Sequence, residues 1–388
     1  MSQADKIARH VAEIPRSGIR EFFELVIGRS DVISLGVGEP DFSAPWHIRE
    51  AAIYSLERGE TSYTSNLGLQ KLRDAIADYV RGHFKVSYSP KDEVLVTVGV
   101  SEALDLAFRA LLNPGDEVIF HEPCYVSYHP GIVLAFGKPV SIQTRPEDEF
   151  ALLAADVERA ITPKTRAIVL NFPTNPTGAI EPVEELEKIA ALCVKHDLIA
   201  ISDEIYSELV YDGKRHVSIA SLPGMRERTI LLHGFSKAFA MTGFRLGYAC
   251  APPELTGAMM KIHQYSMLCA PITSQVAATE ALRGSLEPVE KMRAEYHRRR
   301  NMIVGRFNAM GLPCHMPGGA FYAFPDIRPS GLSSKDFAGG LLESQSVAAV
   351  PGDAFGAAGD GFLRCCYAAD PKLIAKALDG FEVFLKSL

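Results

Sequence analysis

Short, almost uninterrupted apolar runs set the rhythm of this chain from Val94 onward: Val94–Val98, Glu117–Phe120, Ala167–Leu170, Leu198–Ser202 and Thr229–Leu232. Each is too short for a stable helix and is apolar at successive rather than alternate positions. Runs of this kind suit the strands of a mostly parallel sheet covered on both faces. Helical punctuation separates them: Ser101-Glu102-Ala103-Leu104 opens a helix that stops before Asn113-Pro114-Gly115, and Pro182 opens another that runs to about His196. The alternation predicts an α/β domain, and such sheets gather ligands at the carboxyl ends of their strands. Gly99-Val100-Ser101, Asn171 to Gly178, Asp203 to Tyr206 and Ser236-Lys237 each follow a predicted strand. One crevice can collect all four.

After Gly284 the pattern changes to a charged helix, Pro288 to about Met310, which contains Arg298-Arg299-Arg300. A basic run of this type reads as a solvated helix face. Strands near Ala320–Phe324, Val347–Val350 and Phe362–Cys366, then a helix from Pro371, complete a smaller α+β unit. The predicted organisation is an N-terminal segment, residues 1–46, packed with the small domain, a large domain over residues 47–284 and the small C-terminal domain over residues 285–388.

Composition narrows the function. With 388 residues, 47% hydrophobic and 22% charged, the chain has material for a sizeable core and two domains. A net charge of -7 argues against a nucleic-acid surface, which needs a basic stripe, so any anionic ligand has to be held by local groups. The polar start Met1-Ser2-Gln3-Ala4-Asp5-Lys6 lacks an apolar signal region, and no stretch is apolar for the length of a membrane span, which points to a cytoplasmic protein. The seven cysteines are scattered without CxxC spacing and read as reduced packing residues, with no metal site expected.

The candidate chemistry centres on Lys237, in Gly234-Phe235-Ser236-Lys237-Ala238-Phe239-Ala240-Met241-Thr242-Gly243-Phe244-Arg245-Leu246-Gly247. A lysine followed eight positions later by an arginine can supply an amine for a Schiff base and a cradle for a phosphate. Asp203, ending an apolar run in Ile201-Ser202-Asp203-Glu204-Ile205-Tyr206, reads on its own as a helix N-cap. Arg364, inside the apolar Gly361-Phe362-Leu363-Arg364-Cys365-Cys366-Tyr367, is costly to bury unpaired and calls for a carboxylate, from a ligand or from a structural Asp or Glu.

The run around Lys237 resembles, along its whole length, the lysine-attachment signature of class I and II aminotransferases, and from about Ile14 to the C-terminal helix the other motifs follow in family order. The resemblance implies a pyridoxal-phosphate enzyme of fold type I, aspartate/aromatic type: an α/β large domain with a mostly parallel central sheet and a smaller α+β domain. It implies transfer of an amino group from an α-amino acid to a 2-oxo acid, with 2-oxoglutarate the expected acceptor, by a ping-pong cycle. It makes Lys237, Asp203 and Tyr206 catalytic, Asp203 as partner of the pyridine nitrogen and Tyr206 beside the cofactor's 3-oxygen. Asn175, in Asn171-Phe172-Pro173-Thr174-Asn175-Pro176-Thr177-Gly178, takes the same oxygen, although Thr174 departs from the family's commoner Asn. Tyr125 stacks on the ring. Val100, Ser101, Ser236 and Arg245 hold the phosphate, joined by Tyr63 of a neighbouring subunit, which implies a homodimer with shared active sites. Arg364, with Gly38 and Asn175, receives the substrate's α-carboxylate. Relatives specific for aspartate often carry Lys where Ser101 stands, so the resemblance leaves the donor open among aromatic, aliphatic and longer polar amino acids. A carbon-sulfur β-lyase on the same scaffold is the alternative reaction.

Overall fold

The structure, a computed structural model, describes residues 3–14, 16, 18–19, 28–29 and 31–388. Its centre is a seven-stranded sheet built from β2 (Val94–Thr97), β3 (Glu117–Glu122), β4 (Lys138–Gln143), β5 (Thr165–Leu170), β6 (Ile199–Asp203), β7 (Thr229–Gly234) and β8 (Gly247–Cys250), preceded in the chain by the short β1 (Ile33–Ser34). The order across the sheet is β2-β8-β7-β6-β5-β3-β4. All neighbours are parallel except those of β8, which runs antiparallel to both β2 and β7. The apolar runs are strands because both of their faces are covered: Val118, Phe120, Val169 and Ile201 pack with Leu104 and Phe108 of the Gly99–Leu111 helix. Their neighbours Ile119, Ile168 and Ala200 pack on the other side with Ile189 and Cys193 of the Val183–Lys195 helix.

Two strands escape the apolar pattern. β4 is an edge strand with exposed or half-buried residues at most positions, so it lacks the continuous apolar signature. β8 is buried throughout but only four residues long, and it starts at the last residue of the lysine signature.

The smaller unit carries β9 (Tyr322–Ala323), β10 (Val347–Ala348), β11 (Val350–Pro351) and β12 (Leu363–Cys366), with β11-β12-β9 forming an antiparallel sheet. β1 pairs in parallel with β10, Ile33 opposite Val347, which ties the N-terminal segment to this unit. The expectation of a solvated basic face on the Glu287–Ala309 helix holds for Arg298 and fails for the next two residues. Arg299 and Arg300 are 6% and 2% exposed. Arg299 Nη1 donates to both carboxylate oxygens of Asp41, and Arg300 forks onto Asp212 at 2.6 and 2.8 Å. Successive helix positions point about 100° apart, so a run of three arginines cannot all face water on a packed helix, and carboxylate partners make the burial tolerable.

Six of the seven cysteines are buried and all are free, while Cys269 is half-buried. Among the described residues no group of His, Cys, Asp and Glu is arranged to hold a metal ion, and no helix is long and apolar enough to cross a membrane.

Candidate active site

A cleft of about 420 Å³ opens at the carboxyl ends of β2, β3, β5, β6 and β7, and β12 closes it from the smaller unit. Its wall includes Gly38, Val100, Ser101, Tyr125, Asn175, Asp203, Tyr206, Ser236, Lys237, Arg245 and Arg364. Each of these was singled out by sequence. Tyr63 is the exception: it is 83% exposed and does not line the cleft of its own chain.

Lys237 stands on the turn after β7. Its Nζ donates to the Gly38 carbonyl at 2.6 Å, and the amine lies 5.9 and 5.7 Å from the ring centroids of Tyr206 and Phe321. Burial pulls the amine from its ordinary 10.5 down to about 8, so a neutral, nucleophilic form is accessible near neutrality. Asp203 ends β6 and is followed by turns rather than a helix, so no helix is there for it to cap. Its Oδ2 accepts the Tyr128 hydroxyl at 2.8 Å, and Oδ1 has only a long contact, 3.4 Å, with the Ile205 N–H. Burial drives this carboxyl up to about 6. A desolvated acid with one oxygen facing a cleft is stabilised by a cationic N–H placed against it.

Arg364, on β12, has no Asp or Glu within ion-pair distance among the described residues. Nη1 donates to Asn175 Oδ1 at 3.0 Å and Nη2 to the Gly36 carbonyl at 2.6 Å. Its Nε is buried without a partner. The guanidinium lies between Tyr322 and Phe355, 4.7 and 4.8 Å from their ring centroids. The structural ion pair that the sequence left open is therefore absent from this position among the described residues, and donor capacity remains for an incoming carboxylate.

Opposite Arg364, the Gly99–Leu111 helix begins directly after β2. Gly99 has φ +74°, and a Cβ there would stand 2.7 Å from Arg245 Nη2, so glycine is what lets the arginine approach the helix start. A helix N-terminus with an arginine and the Ser101 and Ser236 hydroxyls beside it suits a phosphate dianion. Sequence reasoning missed Tyr128, Tyr322 and Asn171. Tyr128 was visible three residues after Tyr125, but its reach to Asp203 across 75 positions was not.

The chain from residue 30 to residue 381 matches the model of the family described as aminotransferase class I and II. This protein belongs to that family. It is 53% identical to the putative aminotransferase YugH of Bacillus subtilis, each chain covered to 98%. It is 46% identical to an aspartate aminotransferase of Pyrococcus abyssi, over 95% of this chain and 96% of the relative. The crystal structure of an aromatic aminotransferase from Pyrococcus horikoshii superposes with a TM-score of 0.91 at 46% identity, over 95% of this chain and 99% of that one. The enzyme is thus a pyridoxal-phosphate-dependent transaminase of fold type I, and the β-lyase alternative is not favoured. The cleft suits that cofactor on its own terms: a lysine of lowered pKa, a raised carboxyl awaiting a cation, and a phosphate cradle that a Cβ at residue 99 would obstruct.

Proposed function

We propose that the enzyme takes a large neutral α-amino acid as donor and passes its amino group to 2-oxoglutarate. The cation inventory of the cleft carries the donor half of this reading: among its described lining residues the only Lys and Arg are Lys237, Arg245 and Arg364. Amine chemistry, phosphate and α-carboxylate occupy these three, so a short dicarboxylic donor finds no cation for its second carboxylate within the cleft itself. Ser101 stands where a lysine would serve that purpose. The longer 2-oxoglutarate is assigned to Arg16 or Lys335, which line the adjoining chamber. This second chamber, about 1070 Å³, shares Ser101, Leu104 and Tyr125 with the cleft; Phe108, Phe120 and Leu134 give an apolar side chain room there, beside the charged Arg16, Asp105, Glu122 and Lys335. Relatives named for aspartate and for aromatic amino acids are equally similar, so identity does not choose between donors. A donor panel against 2-oxoglutarate tests the proposal. Phenylalanine, tyrosine or leucine should exceed aspartate in kcat/KM by roughly tenfold or more, the scale of one well-filled apolar pocket; a preference for aspartate would refute it.

In this reading bound pyridoxal phosphate supplies the electron sink that side chains lack when the Cα–H bond breaks. Asp203 would keep a positive N–H against its oxygen. Tyr206 and Asn175 would donate to the phenolic oxygen, and Tyr125 would lie against the ring. Val100 and Ser101 at the helix start, Ser236 and Arg245 would grip the phosphate. Arg364, with Asn175 and the Gly38 N–H, orients the substrate carboxylate so that its Cα–H faces Lys237. Lys237 then receives that proton at Nζ and returns it to complete the half-reaction.

The proposed division is residues 1–46 with the small domain 285–388, around a large domain 47–284; the β1–β10 pairing and the Asp41–Arg299 ion pair support it. Tyr63 is assigned to the phosphate of a second subunit in a cytoplasmic homodimer. Its exposure, and that of Trp46, Tyr265 and Met267, at 57%, 89% and 50%, favours a covering partner. Sedimentation that finds only fully active monomers at assay concentration would exclude the shared site.

A further inference from the structure

Tyr322 sits on β9, one strand from Arg364, and touches both halves of the site. Its hydroxyl is 2.7 Å from the Tyr206 hydroxyl and 3.5 Å from the Gly38 carbonyl. Its ring forms one wall of the guanidinium sandwich, 4.7 Å from Arg364. The residue is buried and faces the cleft.

Proton counting decides which way the tyrosine pair points. Two phenols in contact share one hydrogen bond, so one donates and the other keeps its proton for a different acceptor. If Tyr206 donated to Tyr322, its proton would be used inside the protein, and among the described residues Tyr322 would be left with the Gly38 carbonyl, at a long 3.5 Å and shared with Lys237, which donates to it at 2.6 Å. If Tyr322 donates, Tyr206 is left with its own proton directed into the cleft and polarised toward a stronger donor. The second arrangement uses the Tyr322 proton within the pair, leaves the Gly38 carbonyl to the lysine and keeps the Tyr206 proton for a ligand oxygen in the cleft.

We propose that Tyr322 is a positioning residue with two separable tasks: its hydroxyl donates to Tyr206 and so aims the Tyr206 proton at the cofactor's phenolic oxygen, and its ring backs Arg364 for the substrate carboxylate. The inference rests on the roles assigned above to Tyr206 and Arg364. Burial, which pushes both phenols above their ordinary range, keeps both protons in place across working pH.

Tyr322→Phe and Tyr322→Leu in the cofactor-loaded enzyme separate the tasks. The first keeps the ring and removes the hydroxyl, so the absorbance titration of the Lys237-bound cofactor should move up by about half a pH unit, since the phenolate loses part of its donor. Affinity for 3-phenylpropionate, a carboxylate with no amino group to react, should stay within twofold. Tyr322→Leu should also weaken that affinity by about tenfold, the size of a lost cation–π wall at a desolvated site. An unmoved titration in Tyr322→Phe, with Tyr206→Phe moving it, overturns the hydroxyl task alone. If Tyr206→Phe does not move it either, the Tyr206 role beneath the inference fails. Unchanged 3-phenylpropionate affinity in Tyr322→Leu overturns the ring task.

Discussion

The arginines buried on the long helix of the smaller unit and the one buried at the cleft are held in opposite ways. On the Glu287–Ala309 helix Arg299 and Arg300 are closed onto Asp41 and Asp212 by paired hydrogen bonds of 2.6 to 2.9 Å. At the cleft Arg364 is equally buried but meets an amide oxygen and a backbone carbonyl, with Nε unbonded. Fully paired charges fix one arrangement of the chain; charges held by neutral dipoles keep capacity for a ligand. Lys237 and Asp203 belong to the second kind. Among the described residues neither has an opposite side-chain charge within ion-pair distance, and burial moves each toward its neutral form.

The largest effect expected from this contrast is at Lys237. Lys237→Ala should lower transamination at least about a thousandfold, within the range for removal of a positioned acid–base group, while the circular dichroism spectrum stays that of the wild type. A coupled assay for the product 2-oxo acid measures it. Retention of a tenth of the activity would place the chemistry elsewhere.

Asp203→Ala comes next, with a loss of roughly 10²–10³ in kcat, the size associated with a missing preorganised electrostatic group. A mere cap would give a different result, about 1 kcal/mol of stability and an unchanged rate. Chemical denaturation beside the rate assay separates the two outcomes.

The same contrast was only partly legible in the sequence. Lys237, Asp203 and Asn175 lie in contiguous motifs at strand ends, where local pattern and chemistry coincide, and the sheet that aligns them announces itself by apolar runs. Arg299 and Arg300 form a contiguous motif as well, yet their neighbours Asp41 and Asp212 are 258 and 88 positions away, and nothing local distinguishes a paired arginine from a solvated one. Tyr322 was missed for the same reason: its meaning comes from Tyr206, 116 positions earlier. β4 was missed because an edge strand does not need the apolar continuity of a central one.

A smaller, pH-linked effect follows from burial of the amine. In cofactor-free enzyme Lys237 falls from 10.5 to about 8, so between those values the unfolded chain binds the proton more tightly than the fold does. Stability should therefore rise with pH through that window, by on the order of 3 kcal/mol if the shift is fully expressed. Lys237→Met should flatten the rise in Tm between about pH 8 and pH 10. Asp203, raised from 3.8 to about 6, gives the opposite slope, with stability falling as pH rises between those values. An unaltered profile in Lys237→Met would mean that the amine is hydrated in solution.

The claim beneath these predictions is that Arg364 is kept unsaturated for a carboxylate while Arg300 is saturated for the fold. Equilibrium titration of the cofactor-loaded enzyme with 3-phenylpropionate, followed through the cofactor's absorbance, tests it most directly. Arg364→Gln should weaken binding by about 30-fold or more, matching the 2 kcal/mol or greater cost of removing one partner of a desolvated pair, with little change in Tm. Arg300→Gln should lower Tm, because it removes the buried guanidinium from Asp212 and leaves it only His297, and should bind the ligand within twofold of the wild type. Equal binding by wild type and Arg364→Gln would contradict the account.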